Sequence, residues 1–117
     1  MKKENICHIF DVSEAKKYGV EKAILLYNFR FWLKHNEANR INIHSKDGKN
    51  YVWTYNSSSA FAEIFPYFNK NTITRWLREL EKDGILISGN FNRMKYDRTK
   101  WYTMYEFITS LPISENE

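Results

Sequence analysis

Cysteine occurs once, proline twice and glycine four times among the 117 residues. A single thiol excludes an internal disulfide framework and any cluster of cysteine metal ligands. No apolar run approaches the ~18 residues that a membrane helix needs. Only a short apolar patch follows Met1-Lys2-Lys3-Glu4-Asn5, so no secretory signal is visible. Low-complexity tracts and internal repeats are also missing. A cytoplasmic protein with no membrane partner is the expectation.

Chemistry-bearing patterns are equally scarce. Cys7, His8, His35 and His44 match no zinc spacing. There is no glycine-rich phosphate loop and no Gly-x-Ser-x-Gly elbow. Acids such as Glu63 and Glu79 have no spacing that pairs them as general acid and base. The sequence therefore predicts no enzyme, no catalytic residue, no metal and no cofactor. Ser57-Ser58-Ser59 reads as a helix cap that can touch a phosphate, not as a nucleophile.

What is present is apolar and basic. The 43% hydrophobic content argues against a disordered chain, and the length suits one domain. The 17% aromatic content and net charge of +4 make nucleic acid the first partner to test. Residues 66–104 carry eight Lys and Arg against four Asp and Glu, the densest basic stretch. From residue 105 on there are three acids and no Lys or Arg. The expected organisation is one domain over 1–110 and a flexible acidic tail over 111–117.

Ser13 caps a short helical turn through Tyr18, and a long helix runs from about Val20 to Asn36 or slightly beyond. Residues 41–50 are mostly polar, with a turn signal at Asp47-Gly48. Tyr51-Val52-Trp53-Thr54-Tyr55 has strand composition. Asn56 or Ser57 caps a helix through Phe65, and Pro66-Tyr67-Phe68 breaks it. Asn69 caps a further helix from Lys70 to Asp83, closed by Gly84. Ile85–Phe91 and Trp101–Phe107 read as strands around a basic loop. The expected class is α+β, mainly helical: a winged helix-turn-helix with a long N-terminal helix and a C-terminal β-hairpin wing.

Helical spacing gives the Lys70–Asp83 segment two faces. Ile73, Trp76, Leu77 and Leu80 fall between about 240° and 340°, one apolar stripe. Asn71, Arg75, Arg78 and Lys82 fall between about 80° and 140°, on the opposite side. Arg forks onto guanine, Asn pairs with adenine, and Arg and Lys neutralise phosphate. Lys70, Asn71, Thr74, Arg75, Arg78 and Lys82 are therefore the candidate DNA contacts of this helix. The plain alternative is a solvated face, with Arg75 pairing Glu79 and Arg78 pairing Glu81. The loop Asn92–Lys100 adds Arg93, Lys95, Arg98 and Lys100, which suit a phosphate backbone or minor groove. Tyr67 and Tyr96 are the aromatics suited to a surface contact.

The run Arg75-Trp76-Leu77-Arg78-Glu79-Leu80-Glu81-Lys82-Asp83-Gly84-Ile85-Leu86, with Asp97-Arg98-Thr99-Lys100-Trp101-Tyr102-Thr103, resembles the N-terminal winged-helix domain of phage and plasmid replication proteins. These include replisome organisers and DnaD-like primosomal proteins. The long helix from Val20 and the Trp53-Thr54-Tyr55-Asn56-Ser57 segment are also similar. The resemblance spans roughly Tyr18 to Phe107 and implies duplex DNA binding, self-association and a role beside other replication proteins. It carries over no helicase-loading or primase-recruiting activity, because no second domain is present in these 117 residues.

The long helix carries two apolar faces. Val20, Ile24, Tyr27 and Phe31 form one, and Leu25, Leu26, Phe29, Trp32 and Leu33 the other. Either the helix is sandwiched inside its domain, covered by Ile6, Ile9, Phe10 and Val12, or Phe29, Trp32 and Leu33 build a homodimer interface. The leading expectation is a DNA-binding protein of replication initiation or its control. A transcriptional repressor of the same fold is one alternative. A protein-interaction or oligomerisation module without DNA contact is the other.

Overall fold

The computed structural model describes residues 6–114. It is α+β: four helices, small antiparallel sheets and one 3-10 turn. Helix α1 spans Val12–Tyr18. Asp11, not Ser13, caps it. Its carboxylate accepts the Glu14 N–H at 3.0 Å and the Ser13 hydroxyl at 2.5 Å, and this holds it below the usual carboxylate range. Helix α2 spans Val20–Asn39.

The polar stretch after α2 is a hairpin that composition did not reveal. Strand β1 (Ile43–Lys46) pairs with β2 (Lys49–Val52) across Asp47-Gly48. Both turn residues have positive φ, 54° and 78°. Such a two-residue turn suits strand twist and favours an Asp-Gly pair. The expected strand Tyr51–Tyr55 is divided: the Trp53 N–H still donates to the Asn42 carbonyl at 2.8 Å, in the register of β1, whereas Thr54 and Tyr55 pair in a second sheet. Its second half is β3 (Thr54–Tyr55).

Helices α3 (Ser58–Ile64) and α4 (Lys70–Lys82) follow. The Ser57 hydroxyl accepts the Ala60 N–H at 3.1 Å, and the Asn69 side chain accepts the Asn71 N–H at 2.8 Å. The later strands are shorter than expected. They are β4 (Ile87–Gly89) and β5 (Trp101–Thr103), and a 3-10 turn covers Tyr105–Phe107. The sheet order is β3-β5-β4, antiparallel throughout. Gly89 is required by close approach: a Cβ there would meet the Phe91 ring at 2.8 Å.

The core lies where α2, α3 and α4 meet this sheet. Leu25, Leu26, Phe29 and Leu33 of α2 face Phe61, Phe65, Ile73, Leu77 and Leu80, with Tyr102, Met104 and Phe107 beneath. The Phe29 ring sits 5.6 Å from Phe61, edge on, and 5.4 Å from Tyr102. Phe29 and Leu33 are thus fully inside one chain and cannot form the dimer surface that helical spacing allowed. The Leu25/Phe29 face is the wider apolar stripe, so it takes the core. Tyr27, Phe31 and Trp32 remain partly exposed on α2.

Ion pairs tie the periphery to α2. The Arg30 guanidinium donates two bonds to Glu14, at 2.6 and 2.5 Å, and two to Glu106, at 3.1 and 3.4 Å. The bond to Glu14, opposed by burial and aided by Glu106, raises its pKa further. The C-terminal segment is docked as far as the structure describes it. The Ile43 N–H donates to the Ser114 hydroxyl, and the Ser114 N–H to the Ile43 carbonyl, each at 3.0 Å. Asn50 holds the Leu111 carbonyl at 3.2 Å. Residues 111–114 are thus tied to the hairpin, because Ser114 satisfies the free edge N–H and carbonyl of Ile43 on β1. Residues 115–117 of the expected tail lie outside the described residues.

Replacing Phe29 by Ala removes a ring wedged between two others. We expect a loss of about 3–5 kcal/mol in stability, read from the urea midpoint, at unchanged oligomeric state.

Candidate nucleic-acid interface

Burying Ile73, Leu77 and Leu80 fixes the roll of α4. Lys70, Asn71, Arg75, Arg78 and Lys82 consequently face solvent. Trp76 is half-buried and meets the Phe68 ring at 4.9 Å, edge on. The break after α3 is thereby clamped to α4.

Between α4 and the 90–100 loop runs a cleft of about 720 Å³. Its lining includes Thr74, Arg78, Arg98, Lys100, Tyr96 and Ser57. The structure thus brings together two helix candidates and two loop candidates. Lys70, Asn71, Arg75 and Lys82 do not line this cleft, although they share the exposed side of α4. Arg93 lines a different pocket, and the exposed Lys95 lines neither of the two. Ser57 and Tyr96 also line the cleft.

Three candidates are already engaged. The Thr74 hydroxyl donates to the Lys70 carbonyl at 3.1 Å. Arg75 stands 3.8 Å from Glu79, whose other oxygen meets Lys22 at 2.8 Å. Lys100 pairs with Glu81 at 3.2 Å. The Arg78–Glu81 pair that spacing allows is not the one that forms, because Glu81 points toward the loop. Ser88 also donates to Glu81, and Lys46 donates to the Ser88 carbonyl. Burial would raise the Glu81 carboxyl, but Ser88 and Lys100 outweigh it and hold the group below its usual range. Glu81 therefore stays charged and fastens α4 to both ends of the loop. Burial, then the charge of Glu81, pushes Tyr102 up to about 12, while Arg78 pulls the other way. Its hydroxyl stays protonated at the floor of the cleft.

The loop is not an open hairpin tip. Asn92 organises it. Its amide nitrogen donates to the Asn90 side chain, the Asp97 carbonyl and the Thr99 carbonyl at 2.8–3.0 Å. Its amide oxygen accepts the Trp101 indole N–H at 2.8 Å. Asp97 accepts the Thr99 N–H at 3.0 Å, which lowers its pKa and keeps it ionised. A position read as generic loop polarity is the organising residue, and the aromatic partner that reveals it is nine residues away. Arg93, Lys95 and Arg98 are left exposed on this ordered frame.

Behind the loop lies a second small core of Tyr51, Trp53 and Trp101 with Phe91. His44 stacks on Phe91 at 4.5 Å and meets Trp101 edge on. No group of three or more His, Cys, Asp or Glu able to hold a metal occurs among the described residues. No described helix is long and apolar enough to cross a membrane. Comparison of the chain with protein-family models, curated proteins and solved structures finds no match.

Burial holds His44 below the usual imidazole range. As pH falls, the unfolded chain takes up a proton at this position first. Stability from neutral His44 is therefore complete above about pH 6.5 and declines below it. Urea midpoints at pH 7.5 and 5.5 should differ more for the wild type than for His44→Phe.

Proposed function

We propose that this chain binds duplex DNA as a winged helix. Helix α4 enters the major groove, and the 90–100 loop is the wing, following the adjacent backbone. The observation that carries the reading is the cleft between α4 and the loop, with Arg78, Arg98 and Lys100 on its walls and more exposed cations at its margins. The element order β3, α3, α4, β4, loop, β5 supports it. So does the rigidity that Glu81 and Asn92 give the loop, since a preorganised cationic frame loses little entropy on meeting phosphates. The resemblance to phage and plasmid replication proteins makes replication initiation or its control the process proposed. Binding takes place in the cytoplasm, beside other replication proteins, and involves no catalysis.

The test is fluorescence anisotropy on duplex DNA in a salt series. Arg78→Ala should change stability by only about ±0.5 kcal/mol, because the side chain is exposed. It should cost about 1–3 kcal/mol of binding and relax preference at one position. Arg93→Ala with Lys95→Ala should weaken binding to all sequences alike and flatten the salt slope by about one for each phosphate no longer neutralised. Unchanged affinity in the combined variant sinks the reading and leaves a protein-interaction module.

A second surface supports self-association. Tyr27 and Phe31 stand exposed between two hollows of about 300 and 390 Å³, one bounded by His8 and Ile9, the other by Lys34 and His35. Knobs and hollows on one helix face suit a two-fold interface, where one patch meets itself. Trp32, at the edge of this face, is the one member of the expected dimer set that remains available. Phe31→Glu should shift sedimentation toward monomer without unfolding the protein. A wild type that is monomeric at high micromolar concentration refutes the dimer.

A further inference from the structure

The wing has two sides. One faces the cleft with α4. The other faces a separate pocket of about 350 Å³, whose walls are His44, Tyr55, Phe91 and Trp101 with Arg93 and Asn42 at the margin. Met94 and Asp97 line both spaces. A strand that leaves the cleft over the wing tip therefore arrives here.

We propose that this pocket binds an unpaired nucleobase from a single-stranded extension of the bound duplex. The inference rests on the duplex-binding reading and goes beyond it, by assigning single-stranded DNA to a separate aromatic pocket that shares Arg93 with the proposed duplex contacts. Four aromatic rings around one hollow are unusual for a solvated loop base. The Tyr55 ring is tilted over Trp101 at a centroid distance of 4.3 Å, yet the residue remains 49% exposed. It offers an aromatic surface already braced from behind, which is what base stacking needs. His44 and Phe91 are parallel at 7° and stiffen the opposite wall. Arg93 places an exposed cation at the rim, where the phosphate attached to an inserted base would lie. A base within an intact duplex has both faces covered by its neighbours, so only an unpaired base fits this role.

The pocket also continues. Asn42 and Tyr55 line a further hollow of about 330 Å³ that reaches Trp32 and Asn36 of α2. Tyr55 thus stands between two spaces, with room for successive bases along one track. Stacking on such a track tolerates any sequence, because every base has a π-face. The helix would select the duplex, and the pocket would select the junction.

The experiment compares one duplex as a blunt end with the same duplex carrying an oligothymidine overhang on either strand. The overhang should tighten binding roughly tenfold on the strand that passes the wing. Tyr55→Ala should remove that gain and leave the blunt duplex affinity within about twofold. Tyr55→Phe should restore it, since stacking needs the ring and not the hydroxyl. Arg78→Ala should weaken blunt and tailed duplexes by the same factor. Equal affinity for blunt and tailed duplexes, or a tail gain that survives Tyr55→Ala, overturns the pocket while leaving the duplex reading intact. If no duplex binds, oligothymidine alone decides. Quenching of tryptophan fluorescence that Tyr55→Ala abolishes keeps the pocket, and absence of quenching removes both.

Discussion

The apolar stripe of α4 must leave water, and most of this architecture follows from how it does so. Ile73, Leu77 and Leu80 are buried against α2 and the sheet. At roughly 25 cal/mol per Å² of apolar surface, that burial far exceeds what surface ion pairs on the other side contribute. The roll of α4 is therefore set by its hydrophobic face, and its polar face has no choice but to look outward. Arg78 reaches the cleft because Leu77 and Leu80 occupy the core. The same burial requires Phe29 and Leu33 on the facing side, so α2 cannot offer those residues to a second copy.

Once α4 is fixed, electrostatics place the 90–100 loop. Glu81 sits on the last turn of α4 and accepts from Ser88 on β4 and from Lys100 just before β5. A half-buried carboxylate with two donors holds both ends of the loop to the helix. Asn92 then spans the loop interior with three donated bonds and one accepted. That one amide satisfies the Asp97 and Thr99 carbonyls, and the Asp97 N–H closes a turn on the Met94 carbonyl. Lys100 serves this frame, and its positive charge is largely offset by Glu81 before any ligand arrives.

The sequence made α4 readable because cap, period and closing glycine all agree: Asn69, the Ile73–Leu80 stripe and Gly84. The β1–β2 hairpin was hidden for the opposite reason. His44, Ser45, Lys46, Lys49 and Asn50 have little strand character, and the pairing rests on the Asp47-Gly48 turn and on Ile43, Tyr51 and Val52. Its Asp-Gly signal was visible, but the flanking composition pointed to a loop. Two apolar faces on α2 were also visible. Which one meets the core depends on Phe61 and Tyr102, residues 32 and more positions away, so helical spacing alone left that open. The cations of the candidate site were legible as types. Their division into engaged and available ones was not, because it turns on Glu79 and Glu81 and on the Lys22 and Ser88 that share them.

That division bounds what the charge can do. Of the ten cations and polar residues assigned to helix and wing, Lys70, Arg78, Lys82, Arg93, Lys95 and Arg98 are exposed and enter no ion pair among the described residues. Lys22, Arg30, Arg75 and Lys100 direct their charge to Glu79, Glu14, Glu106 and Glu81. Residues 66–104, with eight Lys and Arg against four Asp and Glu, therefore carry the whole net charge of +4, and the rest of the chain sums to zero. Six available cations can displace counterions from at most about six phosphates, equivalent to a logarithmic salt slope near −5. Such a term gives affinity without choosing a sequence. In the proposed complex, selection would come from groups that meet base edges or unpaired bases, and these are few: Asn71 and Arg78 on α4, and the Tyr55 ring beside the 90–100 loop. In the proposed complex Arg78 would serve both affinity and selectivity, while the other five cations would add affinity alone and Tyr55 selectivity alone, on elements held in one frame by Glu81 and Asn92.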